Sequence, residues 1–371
     1  MSQLRVGVLT SSRADFGIYL PLLRALKIDQ FFDVEIIAFG THLSYLHGYS
    51  VKHILEEGFE KIVNIESSVV GDSQETISTS IGLTCIKFAS FWETKRDAYD
   101  YVFCLGDRFE MFAAVISSIP FNINLIHLHG GEKTLGAIDN KFRHSISHAA
   151  RIHFTSTSEY ENRLRLMLDE IDNIYNVGAL SLDTLTDIKL LDSKEFLETW
   201  DIDMELPTIL VTIHPETNSN LEKNKEYAIL ISNLINKLTQ FQFVLTMPNA
   251  DSYGNLIRSI FNEMLIGPNI KIVENFGTLG YFSCMALSRL VLGNSSSGII
   301  EAASLHKYNI NLGKRQEGRI KSPNNIDMEF EIDLIEKKIL EIIKAPNYYG
   351  VNSYWNGRAT NKIINLLKSL K

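Results

Sequence analysis

The chain is expected to fold as α/β, with two doubly wound parallel sheets in tandem. Three observations predict this. Short runs that are apolar throughout alternate with stretches of helical spacing; the whole pattern restarts near Pro207; and polar residues gather where the apolar runs end. Strands apolar on both faces and separated by helices belong to a parallel sheet covered on both sides.

The first strand is read at residues 5–10, followed by a turn at 11–17. A helix is read at 18–28, where Leu20, Leu22, Leu23 and Leu26 recur at helical spacing. Residues 32–39, 101–105, 123–129 and 152–156 read as further strands, each bounded by Gly, Pro or polar turns. After Pro207, residues 208–213 form a strand that runs into His214, Pro215 and Glu216. A helix follows at about 224–239, then strands at 241–246, 270–273 and 290–293. The boundary is expected within 178–206. One domain then spans 1–180, and the amphipathic end of the chain, 355–371, packs back onto it; the second spans 181–354. No short-period repeat or low-complexity tail is evident.

Ligands in such sheets sit at the carboxyl ends of the strands. Arg13, Asp107, His129, Glu132, His214, Asn249 and Asn294 all fall there. Two Rossmann-like domains facing across a cleft at those edges would be the GT-B architecture of nucleotide-sugar enzymes.

Composition narrows the partners. Of 371 residues, 45% are hydrophobic and 22% charged, the balance of a soluble globular protein. A formal charge of −8 and a pI near 5.7 argue against nucleic acid or an anionic membrane as partner. An anionic substrate therefore needs a local cluster of positive groups. The 3 cysteines, Cys85, Cys104 and Cys284, are far apart and form no CxxC pair, which reads as buried free thiols. The opening MSQLRVGVLT has a strand pattern rather than that of a signal peptide. No apolar run approaches the ~20 residues of a membrane span. A cytoplasmic location is expected.

Two constellations carry chemistry. After the strand at 290–293 come Asn294, Ser295, Ser296, Ser297 and Gly298, with Ile299 to Ala303 read as the start of a helix. Hydroxyls and unpaired backbone N–H groups at a helix start suit a diphosphate, and glycine allows close approach. Glu301, about one turn on, is placed to accept ribose hydroxyls; an ordinary serine cap beside a solvated glutamate is the plainer alternative. Arg13 and His214, in matching turns of the two halves, would bracket the diphosphate. Lys314, Arg315 and Arg319 form a second basic group, or a solvated loop. The other constellation is LGDRFE with HLHGGEKTLGAIDNKFRHSISH, which brings Asp107, Glu132, Asp139 and several histidines together. Acidic residues at strand ends are typical of catalytic placement, although a salt-bridged surface loop would have the same composition.

These segments, taken with SSRADFG, GTHLS, TSTSEY, TIHPET, GNSSSGIIEA and GKRQEGR, occur in order over nearly the whole chain. In that set the sequence resembles the hydrolysing UDP-N-acetylglucosamine 2-epimerases of the bacterial sialic-acid and legionaminic-acid pathway type. The resemblance implies Asp107, Glu132 and Asp139 as active-site carboxylates. It implies substrate contacts from Arg13, His42, Arg143, His214, Asn249, Ser295, Ser296, Ser297, Gly298, Glu301 and Arg315, with Phe276 against the uracil. Some relatives carry a glutamate where this chain has His129, so His129 and Glu132 stand as joint candidates for proton transfer. No metal and no cofactor is implied; a homo-oligomer, dimer or tetramer, is.

The implied reaction converts UDP-N-acetylglucosamine and water into N-acetylmannosamine and UDP, for synthesis of sialic-acid-type sugars. Carbon 2 has no carbonyl beside it, so its proton becomes acidic only as UDP departs and oxocarbenium character develops. Elimination to a glycal, then hydration with reprotonation from the other face, inverts the centre. The GAID segment and the loop Met247 to Asp251 also resemble relatives acting on UDP-2,4-diacetamido-2,4,6-trideoxy sugars. Three other classes compete: a metal-dependent hydrolase built on His127, His129, His144, His148 and Asp139, a GT-B glycosyltransferase, and a sugar-nucleotide sensor without catalysis.

Overall fold

The computed structural model describes residues 3–71, 73–248 and 252–370. The chain divides into two compact units. Unit 1 holds residues 1–132, 139–187 and 354–371; unit 2 holds 133–138 and 188–353.

Unit 1 is built on seven parallel strands: β1 Leu4–Thr10, β2 Phe32–Phe39, β3 Ile62–Ile65, β4 Tyr101–Leu105, β5 Leu125–Leu128, β6 Ile152–Thr155 and β7 Ile174–Asn176. Its helices are α1 Arg13–Ile28, α2 Val51–Glu56, α3 Gln74–Lys95, α4 Phe109–Ile116, α5 Asp139–Ala149, α6 Ser158–Leu168 and α7 Ser181–Asp187. The strand order is β3-β2-β1-β4-β5-β6-β7. Leu23, Leu26, Phe103 and Phe154 belong to the core on one side of the sheet; Phe39, Phe88, Trp92 and Met111 belong to a second core. Both faces are therefore covered, as the unbroken apolar strands require.

Unit 2 repeats the plan with β8 Thr208–Thr212, β9 Gln242–Thr246, β10 Ile270–Val273, β11 Leu290–Gly293, β12 Asn309–Leu312 and β13 Asn325–Met328. They are parallel, in the order β10-β9-β8-β11-β12-β13. The helices are α8 Ser193–Trp200, α9 Leu221–Lys237, α10 Gly254–Met264, α11 Gly277–Leu287, α12 Ser296–Ile300 and α13 Ile332–Lys344. The last helix, α14 Ala359–Ser369, returns to unit 1, where Ala359, Ile363 and Leu367 join its core. Asp183 of α7 fixes that return, accepting from Ala359 N (3.1 Å) and Thr360 N (2.7 Å) at the start of α14.

In each sheet the strand order reverses once, between β1 and β4 and between β8 and β11. A crevice opens at the carboxyl edge at such a switch point, and the loops leaving these four strands carry most of the candidate residues. One expected turn is corrected: α1 begins at Arg13, not after residue 17. Ser12 caps it by accepting from Asp15 N. No helix among the described residues is long and apolar enough to cross a membrane.

Candidate functional site

At the end of β1 the turn is locked by a buried carboxylate. Asp15 accepts from Ser11 N (2.9 Å), Ser11 Oγ (2.6 Å) and Ser12 Oγ (2.9 Å). Arg13 follows, exposed at the first turn of α1. A cation at a helix N-terminus opposes the macrodipole. His42 departs from expectation. It is fully buried, with Nε2 2.9 Å from Thr10 Oγ1 and Nδ1 2.9 Å from Ser50 Oγ, and burial pushes its imidazole down to about 4. With both nitrogens engaged, it braces the loop after β2 and offers nothing to a ligand.

The loop after β4 presents Asp107, whose side chain is 24% exposed and ion-paired to Arg143 of α5. The Arg143 side chain is only 1% exposed, and its Nη1 also donates to Glu132 O at 3.2 Å. Arg143 is thus corrected from substrate contact to positioning residue: it ties Asp107 to the backbone that carries Glu132. His127 braces the same place. Its Nε2 lies 2.8 Å from Gly106 O and its Nδ1 3.0 Å from Ser147 Oγ, and burial pushes it down to about 3. With Nε2 and Nδ1 both engaged by protein groups, it has no nitrogen turned to a metal. No group of three or more His, Cys, Asp or Glu side chains among the described residues is arranged to hold a metal.

Beyond β5, His129 adopts a left-handed backbone (φ 64°), uncommon for a residue with a Cβ. Such strain costs ~1–3 kcal/mol and collects at functional sites. His129 Nδ1 lies 2.8 Å from Glu132 Oε1, and Ser156 Oγ donates to the same oxygen at 2.8 Å. Glu132 is almost wholly buried. A carboxylate accepts, so Nδ1 carries a proton and Nε2 is the ring nitrogen left to exchange one. That nitrogen is buried with no hydrogen-bond partner among the described residues. Asp139 is half-buried at the first position of α5. Ser156 went unnoticed as a residue; only its place in the TSTSEY segment pointed to it.

Unit 2 gathers a second cluster at its own switch point. Asn294 Oδ1 accepts from His214 N (2.7 Å) and its Nδ2 donates to His214 O (2.8 Å), tying the ends of β8 and β11 together. Ser295 caps α12 and accepts from Ser297 N. Ser297 Oγ lies 2.9 Å from Ser295 Oγ and 2.7 Å from Tyr281 OH, which is itself 3.3 Å from Thr212 Oγ1. Burial raises the Tyr281 phenol above its ordinary range, so it stays protonated. Sequence reasoning missed Tyr281, a polar tip on a largely apolar helix with no motif around it. Arg315 Nη1 (3.2 Å) and Gln316 Nε2 (2.9 Å) both donate to Asn294 O.

Three expectations change in unit 2. The helix after Asn294 is only the five residues of α12, so its dipole is small and hydroxyls and loop N–H groups must do most of any anion binding. Gly298 serves packing: a Cβ there would stand 2.4 Å from Asn309 Oδ1. The Phe276 ring, on a residue only 5% exposed, is committed to Phe196 and Trp200, with centroids at 5.6 and 4.7 Å. Ser296 is half-buried and Glu301 buried at the end of α12. Asn249 lies outside the described residues.

Comparison with known proteins gives the family and the fold. The sequence family described as UDP-N-acetylglucosamine 2-epimerase matches residues 24–368. The chain is 32% identical to UDP-N,N'-diacetylbacillosamine 2-epimerase (hydrolyzing) of Legionella pneumophila, over 97% of this chain and 94% of that protein. It is 32% identical to GDP/UDP-N,N'-diacetylbacillosamine 2-epimerase (hydrolyzing) of Campylobacter jejuni, over 89% of this chain and 85% of that one. Its fold resembles the crystal structure of UDP-GlcNAc 2-epimerase from Neisseria meningitidis bound to UDP-GlcNAc, with a TM-score of 0.80 and 18% identity, covering 99% of this chain and 100% of that one.

Proposed function

The chain belongs to the UDP-N-acetylglucosamine 2-epimerase family, and from that premise we propose that it hydrolyses a UDP-linked N-acetylated sugar while inverting carbon 2. The donor proposed first is UDP-N,N'-diacetylbacillosamine, for which both relatives at 32% identity are named. UDP-N-acetylglucosamine, the donor in the family's own description, is the second. The observation that carries the reading is the pairing of Glu132 with a strained His129 beside the Arg143-held Asp107. That is a proton-transfer cluster with its members fixed in place.

The division of labour follows from the chemistry. UDP leaves from carbon 1 with the bonding electron pair, and His214, Arg315 and the serines at 295–297 stabilise the departing diphosphate. The neighbouring C–H, acidified as positive character develops, gives its proton to a base, and a glycal results. The candidates for base and acid are Asp107, Asp139 and the His129–Glu132 pair, in which Glu132 fixes the tautomer and Nε2 of His129 moves the proton. Water adds at carbon 1, and a proton reaches carbon 2 from the opposite face. Each such group is worth ~10²–10⁴ in rate.

Proton NMR of the purified protein with each donor in deuterated water tests the reading. Free sugar inverted at carbon 2, carrying deuterium there and accompanied by UDP, is expected without any acceptor and after exhaustive chelation. Retention of configuration, or dependence on an acceptor or metal, would overturn it.

A further inference from the structure

Residues 133–138 leave unit 1 directly after Glu132, fold with unit 2, and return at Asp139. Their backbone is held by two unit 2 loops. Leu135 N donates to Glu317 O (3.0 Å) and Asn218 N to Gly136 O (3.3 Å). Asn218 Nδ2 donates to Leu135 O (2.7 Å), and Ile138 N to Thr217 Oγ1 (3.1 Å). At Gly136 the approach is closest: a Cβ would stand 2.4 Å from Lys314 O and 2.7 Å from Arg315 Cα. Both are backbone atoms that cannot rotate aside, so only glycine fits.

The loops that grip this segment also build the candidate diphosphate site. Thr217 and Asn218 follow His214 and Glu216. Glu216 Oε1 accepts from Lys314 N at 2.6 Å, and Arg315 and Gln316 both bond Asn294 O. Hydrogen bonds joined by the backbone of these two loops therefore link Asn294 to the segment flanked by Glu132 and Asp139.

We propose that residues 133–138 are a strap through which occupancy of the nucleotide site sets the positions of Glu132 and Asp139, with Gly136 as its positioning residue. The inference rests on the reading of those carboxylates as catalytic. So short a segment spans at most ~3.3–3.6 Å per residue and has little slack, so a loop stiffened by a bound diphosphate passes that restraint to both ends. Couplings of this kind are typically about 5–150-fold.

Two measurements on the full chain test it. Amide hydrogen exchange across 133–139 should slow when UDP is added to the wild-type protein; unchanged exchange sinks the strap whether or not the protein turns over any donor. Gly136→Ala should lower kcat on UDP-N,N'-diacetylbacillosamine by ~30–100-fold, in line with the effect of small misplacements. It should also weaken UDP binding measured by calorimetry, since the coupling is reciprocal and the added Cβ meets the Arg315 backbone. Thr217→Val and Asn218→Ala, which remove single anchors, should act in the same sense by ~3–10-fold, and they decide the matter if Gly136→Ala does not fold. Lowered Tm with kcat per folded molecule intact would make the segment merely structural and overturn the proposal. A wild type that binds UDP, gains protection in 133–139 and turns over neither donor would refute the proposed function instead.

Discussion

Replacing Arg143 with methionine keeps a long apolar stem and deletes the guanidinium that joins Asp107 to the Glu132 carbonyl. Removing one partner of a buried ion pair costs about 3–5 kcal/mol. Asp107 is partly open to water, so the lower end applies, ~3 kcal/mol. The Glu132 carbonyl loses a charged donor, for roughly 1 kcal/mol more. For a unit of this size a kilocalorie shifts Tm by about 2–4 °C, so a fall of roughly 10 °C is expected. Turnover should suffer further, since Asp107 loses its fixed position, and a misplacement near 1 Å can cost about 10²-fold. Circular dichroism melting and a UDP-release assay read the two effects separately. Arg143→Lys, which keeps the charge but not the fork, should fall between. A Tm within a few degrees and kcat within threefold of wild type would refute the assignment of Arg143 as the tie between two catalytic segments.

Three further outcomes follow from the geometry. Asn294→Ala leaves His214 N and O without their partner; at ~1–3 kcal/mol per orphaned buried group, UDP Kd measured by calorimetry should rise at least tenfold. Asp183→Ala strips both acceptors from the start of α14 and should destabilise unit 1 by ~2 kcal/mol or more in urea titration, with UDP affinity unchanged. His127 and His42 are held neutral by burial, down to about 3 and about 4 from 6.5. Below pH 6.5 the unfolded chain takes up protons that the folded one refuses, so their contribution is complete above 6.5 and drains away as pH falls toward those lower values. Together they should make the protein roughly 4 kcal/mol less stable at pH 5 than at pH 7. Denaturant titrations at the two pH values, with His127→Asn removing about half of the difference, check this.

The parallel strands were legible because apolar residues dominate them; β2, β4, β10 and β11 stand at residues 32–39, 101–105, 270–273 and 290–293 as read, with only Asp33 and Glu35 in β2 and Lys271 in β10 as charged exceptions. β3, β7, β12 and β13 escaped notice. Each has only three or four residues, and Asn309, Asn311, Asn325 and Asp327 give β12 and β13 a polar alternation that looks like loop. Those side chains instead pair across the strands, Asn309 Nδ2 with Asn325 Oδ1 and Asn311 Nδ2 with Asp327 Oδ1. Motif segments located the loops of the candidate site, but residue type alone could not say which side chains turn outward. His42, Arg143 and the Phe276 ring are polar, charged and aromatic in the right segments, yet each is turned into the protein by partners distant in sequence. The excursion of residues 133–138 into unit 2 was equally hidden, because it depends on backbone approach at Gly136 rather than on any pattern of side chains.

The return of α14 to unit 1 has a consequence for biosynthesis. A ribosome delivers α1 through α7 first, with an apolar surface on that half still waiting for Ala359, Ile363 and Leu367. Unit 2 must emerge in full before that surface is covered. Nascent chains stalled short of residue 359 would thus expose a sticky patch that Asp183, its carboxylate still without the amides of Ala359 and Thr360, makes costlier to keep dry. Chaperone dependence of expression should therefore end only with the last helix.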